Sequence, residues 1–284
     1  MKSVLVTGAS TGIGWGAAKV LIARGFRVFG SVRKTADADR LADEFGENFT
    51  PLIFDVTDEA AVAAASKTVA AALGNNTLAG VVNNAGISVP GPMLTLPIVD
   101  LRRQLDVNVI GQIIVTQAFA PLLGTDKARQ GPKGRIVMIS SVGGRLAYPF
   151  LGPYHASKFA IEGISASLRR ELLLFGIDVI VVAPGSVTTA IWSKAEAEDF
   201  APYANTPYGP ALRRLREAML KLGRKGLKPE VLGAGIHRAL TDARPKARYT
   251  ITPDPVQDFL ASHLPARWVD SLMASQLGLR AGAV

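Results

Sequence analysis

Short apolar runs alternate along the chain with longer stretches in which apolar residues return every three or four positions. The short runs, at about 2–7, 27–32, 51–54, 78–82, 134–139, 178–183 and 247–252, read as strands. The periodic stretches between them read as helices. Ala17, Ala18, Val20, Leu21 and Ile22 mark the first, which ends at Gly25. An alanine-rich helix is predicted over about 59–73, closed by Gly74 and N-capped by Thr57, with acids in its first turn. A long helix over about 98–123 carries Asn108 at its centre, where an asparagine costs helix propensity. Ile161, Ile164, Leu168, Leu172 and Phe175 give one buried face to a helix that begins near Tyr154, and a shorter helix lies near 230–240. The alternation predicts an α/β fold with a doubly wound parallel sheet.

Two segments break this rhythm. From 190 to about 228 the chain is polar and basic without β character, and it reads as a lid. From 253 to 284 a helical extension is expected, with Phe259, Leu260, Leu264, Trp268, Leu272 and Met273 in an amphipathic pattern broken by Pro265. No internal repeat or low-complexity linker divides residues 1–284, so a single domain is expected.

Composition narrows the chemistry. The chain has 284 residues, 48% hydrophobic, which is enough for a substantial core. It has no cysteine, which excludes disulfides, thiolate metal sites and a cysteine nucleophile. The apolar run Val4–Val6 is too short for a signal-peptide core, and no uninterrupted apolar stretch approaches the roughly 18 residues of a membrane span. A cytoplasmic location without a membrane span is therefore expected. The net charge of +9 suits an anionic cofactor or polyanion. The densest basic run, Arg213 to Lys228, has no interleaved aromatic residues for stacking bases, so no nucleic-acid partner is expected.

The candidate chemistry sits where strands end. Thr7-Gly8-Ala9-Ser10-Thr11-Gly12-Ile13-Gly14 joins the first strand to the first helix, an order that makes a phosphate-binding turn. After the second strand, Arg33 stands where NAD-preferring folds place an acid, and a guanidinium suits a 2′-phosphate. Asp55 ends the third strand and either bonds an adenine or caps its own turn. Asn83-Asn84-Ala85-Gly86 follows the fourth strand, Ser141 the fifth, and Pro184-Gly185 the sixth. Asn108 could bind a water or bond the backbone. Tyr154 and Lys158, four residues apart on a helix, put an ammonium beside a phenol; that predicts a lowered tyrosine pKa and a general acid/base usable near neutrality.

With these motifs in order, residues 2 to about 252 resemble the short-chain dehydrogenase/reductase family, which implies a Rossmann-type single domain. The resemblance implies Asn108, Ser141, Tyr154 and Lys158 as the catalytic set. Tyr154 would exchange the proton with the substrate oxygen and Ser141 would position that oxygen. Lys158 would lower the tyrosine pKa and bind the nicotinamide ribose, and Asn108 would hold a relay water. It implies Gly8, Ser10, Gly12, Ile13 and Gly14 at the pyrophosphate and ribose, Asp55 and Val56 at the adenine, and Asn83, Ala85 and Gly86 at the ribose and sheet edge. Pro184 and Gly185 would border the cofactor, and Val187 and Thr189 would meet the carboxamide.

The expected cofactor is NADP(H), through Arg33, with NAD(H) left open; no metal is required. The motifs around Ser141 and Tyr154 are similar to the branch acting on steroids, retinoids and other lipophilic alcohols. Val89, Pro90, Met93, Leu94, Leu146, Tyr148, Phe150, Leu151, Ile191 and Trp192 suggest an apolar pocket for a hydrophobic alcohol, ketone or aldehyde, although the basic lid would also suit an anionic group. His155 and Ser140 are read as structural. A homodimer through the helices bearing Asn108 and Tyr154 is preferred over a tetramer. The competing reading is an NADP(H)-binding redox regulator without turnover.

Overall fold

The computed structural model describes residues 1–188 and 201–279. Seven parallel strands, β1 (Lys2–Val6), β2 (Phe26–Val32), β3 (Phe49–Ile53), β4 (Gly80–Asn83), β5 (Arg135–Ile139), β6 (Asp178–Pro184) and β7 (Arg248–Ile251), form one sheet in the order β3-β2-β1-β4-β5-β6-β7. The order reverses between β1 and β4, and the crevice beyond their C-terminal ends is where open α/β sheets bind ligands. Strand ends lie within two residues of the sequence pattern, and each shift has a pairing cause. β3 starts at Phe49 because Val28 of β2 pairs with it, whereas the amide of Leu78 is drawn off to Leu122 before β4 begins.

The pleat divides the core. Val4, Val6, Val28, Val82 and Val137 face one layer, with helices α1 (Gly12–Ala23) and α2 (Thr35–Phe45) and a later helix, Pro229–Thr241. Leu5, Phe29, Val81 and Met138 face the other, against α3 (Glu59–Leu73), α5 (Gly111–Phe119) and α6 (Gly152–Glu171), while α4 (Ile98–Leu105) packs on α6 outside this layer. After these come α7 (Gly209–Arg224), α8 (Pro229–Thr241), α9 (Pro255–His263) and α10 (Ala266–Leu277). The first turn of α8 crosses α1 at a glycine: a Cβ on Gly16 would lie about 2.5 Å from Pro229.

The predicted long helix is broken at its centre. Asp106–Ile110 is a π-helical turn between α4 and α5, and Asn108 sits in it. Ile98–Leu123 is long and apolar enough to cross a bilayer by length and composition, but here Val115, Phe119, Leu122 and Leu123 are spent on the sheet. Asp58, rather than Thr57, caps α3 by accepting the Ala61 amide at 2.9 Å, because both Thr57 donors turn back to Asp55.

A third, smaller core lies beyond the sheet. Phe150, just before α6, packs with Ala211, Leu212 and Leu215 of α7 and Leu277 of α10. The lid segment thus contains an amphipathic helix with its basic face outward; residues 190–200 lie outside the described residues. Phe150 is the one non-glycine among the described residues with φ in the left-handed region, +64°. Such a conformation costs on the order of 1–3 kcal/mol, offset here by the ring's packing and by the Gly91 amide on its carbonyl at 2.8 Å.

Candidate active site

The phosphate turn is built from main chain. Gly8 and Gly12 take positive φ, +65° and +59°, and a Cβ on Gly14 would lie 2.1 Å from the Gly8 carbonyl oxygen. The Thr7 hydroxyl accepts the Asn84 and Ala85 amides at 2.9 and 3.0 Å, and the Asn84 side chain donates to the Thr7 and Gly8 carbonyls. The ends of β1 and β4 are thereby laced across the switch point. Thr11 gives α1 no side-chain cap, and no acid stands in the first turn beside Gly12, Ile13 and Gly14. A helix start left in this way suits a phosphate group, so these residues fit the dinucleotide that the motif implies.

The remaining cofactor candidates divide by what their side chains do. Arg33 is two-thirds exposed and lies 3.9 Å from Asp55. Asp55 spends its other oxygen on the Thr57 amide and hydroxyl, the turn-capping alternative. Val56 is buried in the second core layer against Gly111. Asn83 is fully buried and donates its side-chain amide to Thr116 and Met138, leaving Oδ1 buried without a partner among the described residues. Gly86 approaches the Asn108 side chain so closely that a Cβ would sit 3.1 Å from Oδ1. Gly185 is pressed against Thr252, and the Pro184 carbonyl faces the Ser141 hydroxyl at 3.5 Å. Val187 is buried and bridges to Leu227, whereas Thr189, like Ile191 and Trp192, lies outside the described residues.

The catalytic candidates come together at the C-terminal ends of β4 and β5. Ser141 opens a tight turn, its Oγ accepting the Gly143 amide at 3.0 Å. His155 supports that turn from α6, with Nδ1 2.8 Å from the Gly143 carbonyl, which is a structural role. The Ser140 hydroxyl, expected to bond the backbone, is buried without a partner among the described residues. Lys158 is buried, donates to the Ile139 carbonyl at 2.8 Å and lies 5.7 Å from the Tyr154 ring centroid. Both Asn108 side-chain donors are engaged, with the Ile87 carbonyl and the Ser157 hydroxyl, and its oxygen accepts the Ile87 amide at 2.8 Å. The backbone-bonding alternative for this asparagine is the one the side chain takes.

The electrostatics correct one expectation. The Tyr154 pKa is raised, not lowered: burial of the phenol dominates, opposed by a hydrogen bond from Ser141. Burial also pushes the Lys158 ammonium down to about 8, opposed by the Glu162 carboxylate. Spacing alone does not register the cost of desolvating both groups.

The sequence pattern of short chain dehydrogenases matches residues 2–199. The chain belongs to the short-chain dehydrogenase/reductase family. Its relatives include an NADPH-dependent 3-dehydrocapnine reductase of Ornithobacterium rhinotracheale, 37% identical over 98% of both chains. Mouse retinol dehydrogenase 16 is 35% identical over 96% of this chain and 87% of its own. A short-chain dehydrogenase from Streptomyces avermitilis superposes with a TM-score of 0.76 at 27% identity, covering 98% of this chain and 97% of the other. The protein is thus a nicotinamide-dependent oxidoreductase, with retinol dehydrogenases among its relatives.

Several residues that shape the dehydrogenase's site escaped the motif reading. Gln104, one turn before Asn108, holds the Val89 amide and the Ile87 carbonyl at 2.7 and 2.8 Å, continuing the same clamp on the loop after β4. Arg40 donates to the Ser10 carbonyl at 2.7 Å, bringing a second guanidinium to the phosphate turn. An open apolar cavity of about 610 Å³ is walled by Leu146 and Tyr148 on one side and by Val256, Leu260, Leu272 and Met273 on the other. Of the residues expected to line an apolar pocket, Leu146 and Tyr148 line this cavity, and Ile191 and Trp192 lie outside the described residues. Val89 is buried, Met93 and Leu94 are exposed, Phe150 serves the third core, and the second wall comes from the C-terminal extension.

Proposed function

We propose that this dehydrogenase reduces a ketone or aldehyde on a hydrophobic small molecule to the alcohol, using NADPH, and catalyses the reverse oxidation. The observation that carries the reading is the convergence of Ser141, Tyr154 and Lys158 at the sheet edge beside the uncapped phosphate turn. When bound, the cofactor supplies the hydride for the carbonyl carbon. Tyr154 gives its phenolic proton to the carbonyl oxygen, which the Ser141 hydroxyl positions. Burial that raises the tyrosine pKa keeps the phenol protonated through the neutral range, as a proton donor must be. The Lys158 ammonium, charged below about pH 8, stabilises the phenolate that forms. The Asn108 clamp fixes the loop after β4 and, through Ser157, the start of α6.

Preference for NADPH is supported by exposed Arg33 and by the NADPH-dependent relative. A hydrophobic substrate is supported by the apolar cavity and by the 3-dehydrocapnine and retinol relatives. Exposed Ile98, Val99, Ile110 and Phe159 on α4, the π turn and α6 support a homodimer through these helices.

The test follows NADPH absorbance with wild type and Tyr154→Phe over ketones and aldehydes graded by size and charge. Turnover by wild type and a loss of about 100-fold or more in the variant are expected; equal rates would remove Tyr154 from the mechanism. NADPH binding without turnover on any carbonyl would favour the regulator. Arg33→Asp should weaken NADPH binding at least about tenfold and NADH binding little, and equal weakening would end the 2′-phosphate assignment.

A further inference from the structure

Tyr154, Lys158 and Glu162 stand at four-residue steps on α6 and share one face of it. Beyond Lys158 that face meets the edge strand. Arg248, which pairs in register with Val181, places Nε 3.2 and 3.3 Å from the two Glu162 carboxylate oxygens, and both side chains are at least four-fifths buried. Its Nη2 donates to the Ser141 main-chain carbonyl at 3.3 Å, and its Nη1 donates to the Thr250 hydroxyl. One guanidinium therefore joins the strand it belongs to, the helix bearing tyrosine and lysine, and the turn bearing serine. The turn also runs directly over the carboxylate: a Cβ on Gly144 would lie 3.1 Å from Glu162 Cγ.

Stability alone gives little reason for an ion pair here rather than an apolar pair. β7 is already paired to β6 through its backbone, and an ion pair so far removed from water is often no better than an apolar pair of the same volume. Its contacts are informative for what they position. We propose that Glu162 and Arg248 form a positioning unit for the active site: Arg248 fixes Ser141 through its carbonyl, and Glu162 keeps Lys158 charged beside Tyr154. This rests on the catalytic reading of Ser141, Tyr154 and Lys158.

Among the described residues, the groups facing Lys158 are few. They are Tyr154 and Glu162 on its own helix, the Ile139 carbonyl of β5, and Arg248 of β7 behind the carboxylate. Arg145, exposed on the turn, adds a repulsion felt by Arg248. Glu162 is thus the anion that opposes the desolvation of Lys158, while Arg248 holds that anion in place.

The test uses Glu162→Gln and Arg248→Met, with Glu162→Asp and Arg248→Lys as conservative partners. The Lys158 titration is read by NMR on protein labelled with ¹³C at lysine Cε, assigned through Lys158→Arg. In Glu162→Gln the Lys158 pKa should fall by about one unit. Both disruptive variants should lose about tenfold or more in kcat while NADPH affinity changes less than about twofold. Glu162→Asp should recover part of the loss; Arg248→Lys, which keeps charge but not the fork, should recover less. An unmoved Lys158 titration in Glu162→Gln, or wild-type kcat in Arg248→Met, would overturn the proposal. If Arg248→Met does not fold, wild-type kcat in Arg248→Lys overturns it instead. The titration needs no turnover, so a shifted Lys158 in a protein inactive on every carbonyl would refute the catalytic reading alone.

Discussion

The two sides of the catalytic edge are made from different materials. Beyond β1 and β4 the surface is backbone: glycines at positive φ, amides gathered by Thr7, carbonyls gathered by Asn84, and a helix start that its own N-cap side chain leaves uncapped. Beyond β5, β6 and β7 it is side chains: a serine, a tyrosine, a buried lysine, and an apolar cavity completed by two helices lying outside the sheet. At Gly14 the first side has no room for an added Cβ. The second belongs partly to a small core of its own, and its outer helices leave Val256, Phe259, Trp268 and Leu272 exposed. A main-chain site recognises what every dinucleotide has in common, whereas a side-chain site on an added layer can be refitted without disturbing the sheet.

That contrast can be broken most forcefully at Gly14. Adding one methyl group in Gly14→Ala forces the helix away from the Gly8 carbonyl, and NADPH affinity measured by fluorescence titration should weaken about 10- to 100-fold. Wild-type affinity would mean that the turn is more pliant than its spacing implies.

The next largest effect separates charge from packing at Lys158. Its pKa is lowered by burial from 10.5 to about 8, so between those values the unfolded chain binds more protons than the folded one. Wild type should therefore gain stability relative to Lys158→Met as pH rises from about 8 to 10.5, by up to ~3 kcal/mol across the window in denaturant titrations. A difference independent of pH would place the ammonium in water.

The mildest probe is Met273→Trp, which narrows the cavity from its outer wall. KM for bulky ketones should rise about three- to tenfold while NADPH affinity and turnover of small ketones stay near wild type. An unchanged KM series would remove this cavity from substrate binding.

The same division explains what the sequence made legible. Gly8, Gly12 and Gly14 announce themselves because only glycine meets the backbone's demands there, and the Tyr154–Lys158 spacing because helix geometry is local. What could not be read depends on partners far along the chain. The π turn at Asn108 is matched to the Ile87 backbone, and the inward turn of the Asn83 amide depends on Thr116. Arg248 reaches Glu162 across 86 positions. The raised tyrosine pKa belongs to this class as well, since desolvation is a property of the whole neighbourhood rather than of a spacing. Thr57 failed as a cap for a local reason: Asp55, two residues earlier, captured its donors first.

The uncapped start of α1 ties the folding equilibrium to the supply of nucleotide. A ligand that completes a helix only in the native state stabilises that state by mass action, by about 2.7 kcal/mol at a hundred times its dissociation constant. The melting temperature of this dehydrogenase is then a gauge of free cofactor, and its lifetime in a cell should lengthen when reduced nucleotide is plentiful and shorten when it is scarce.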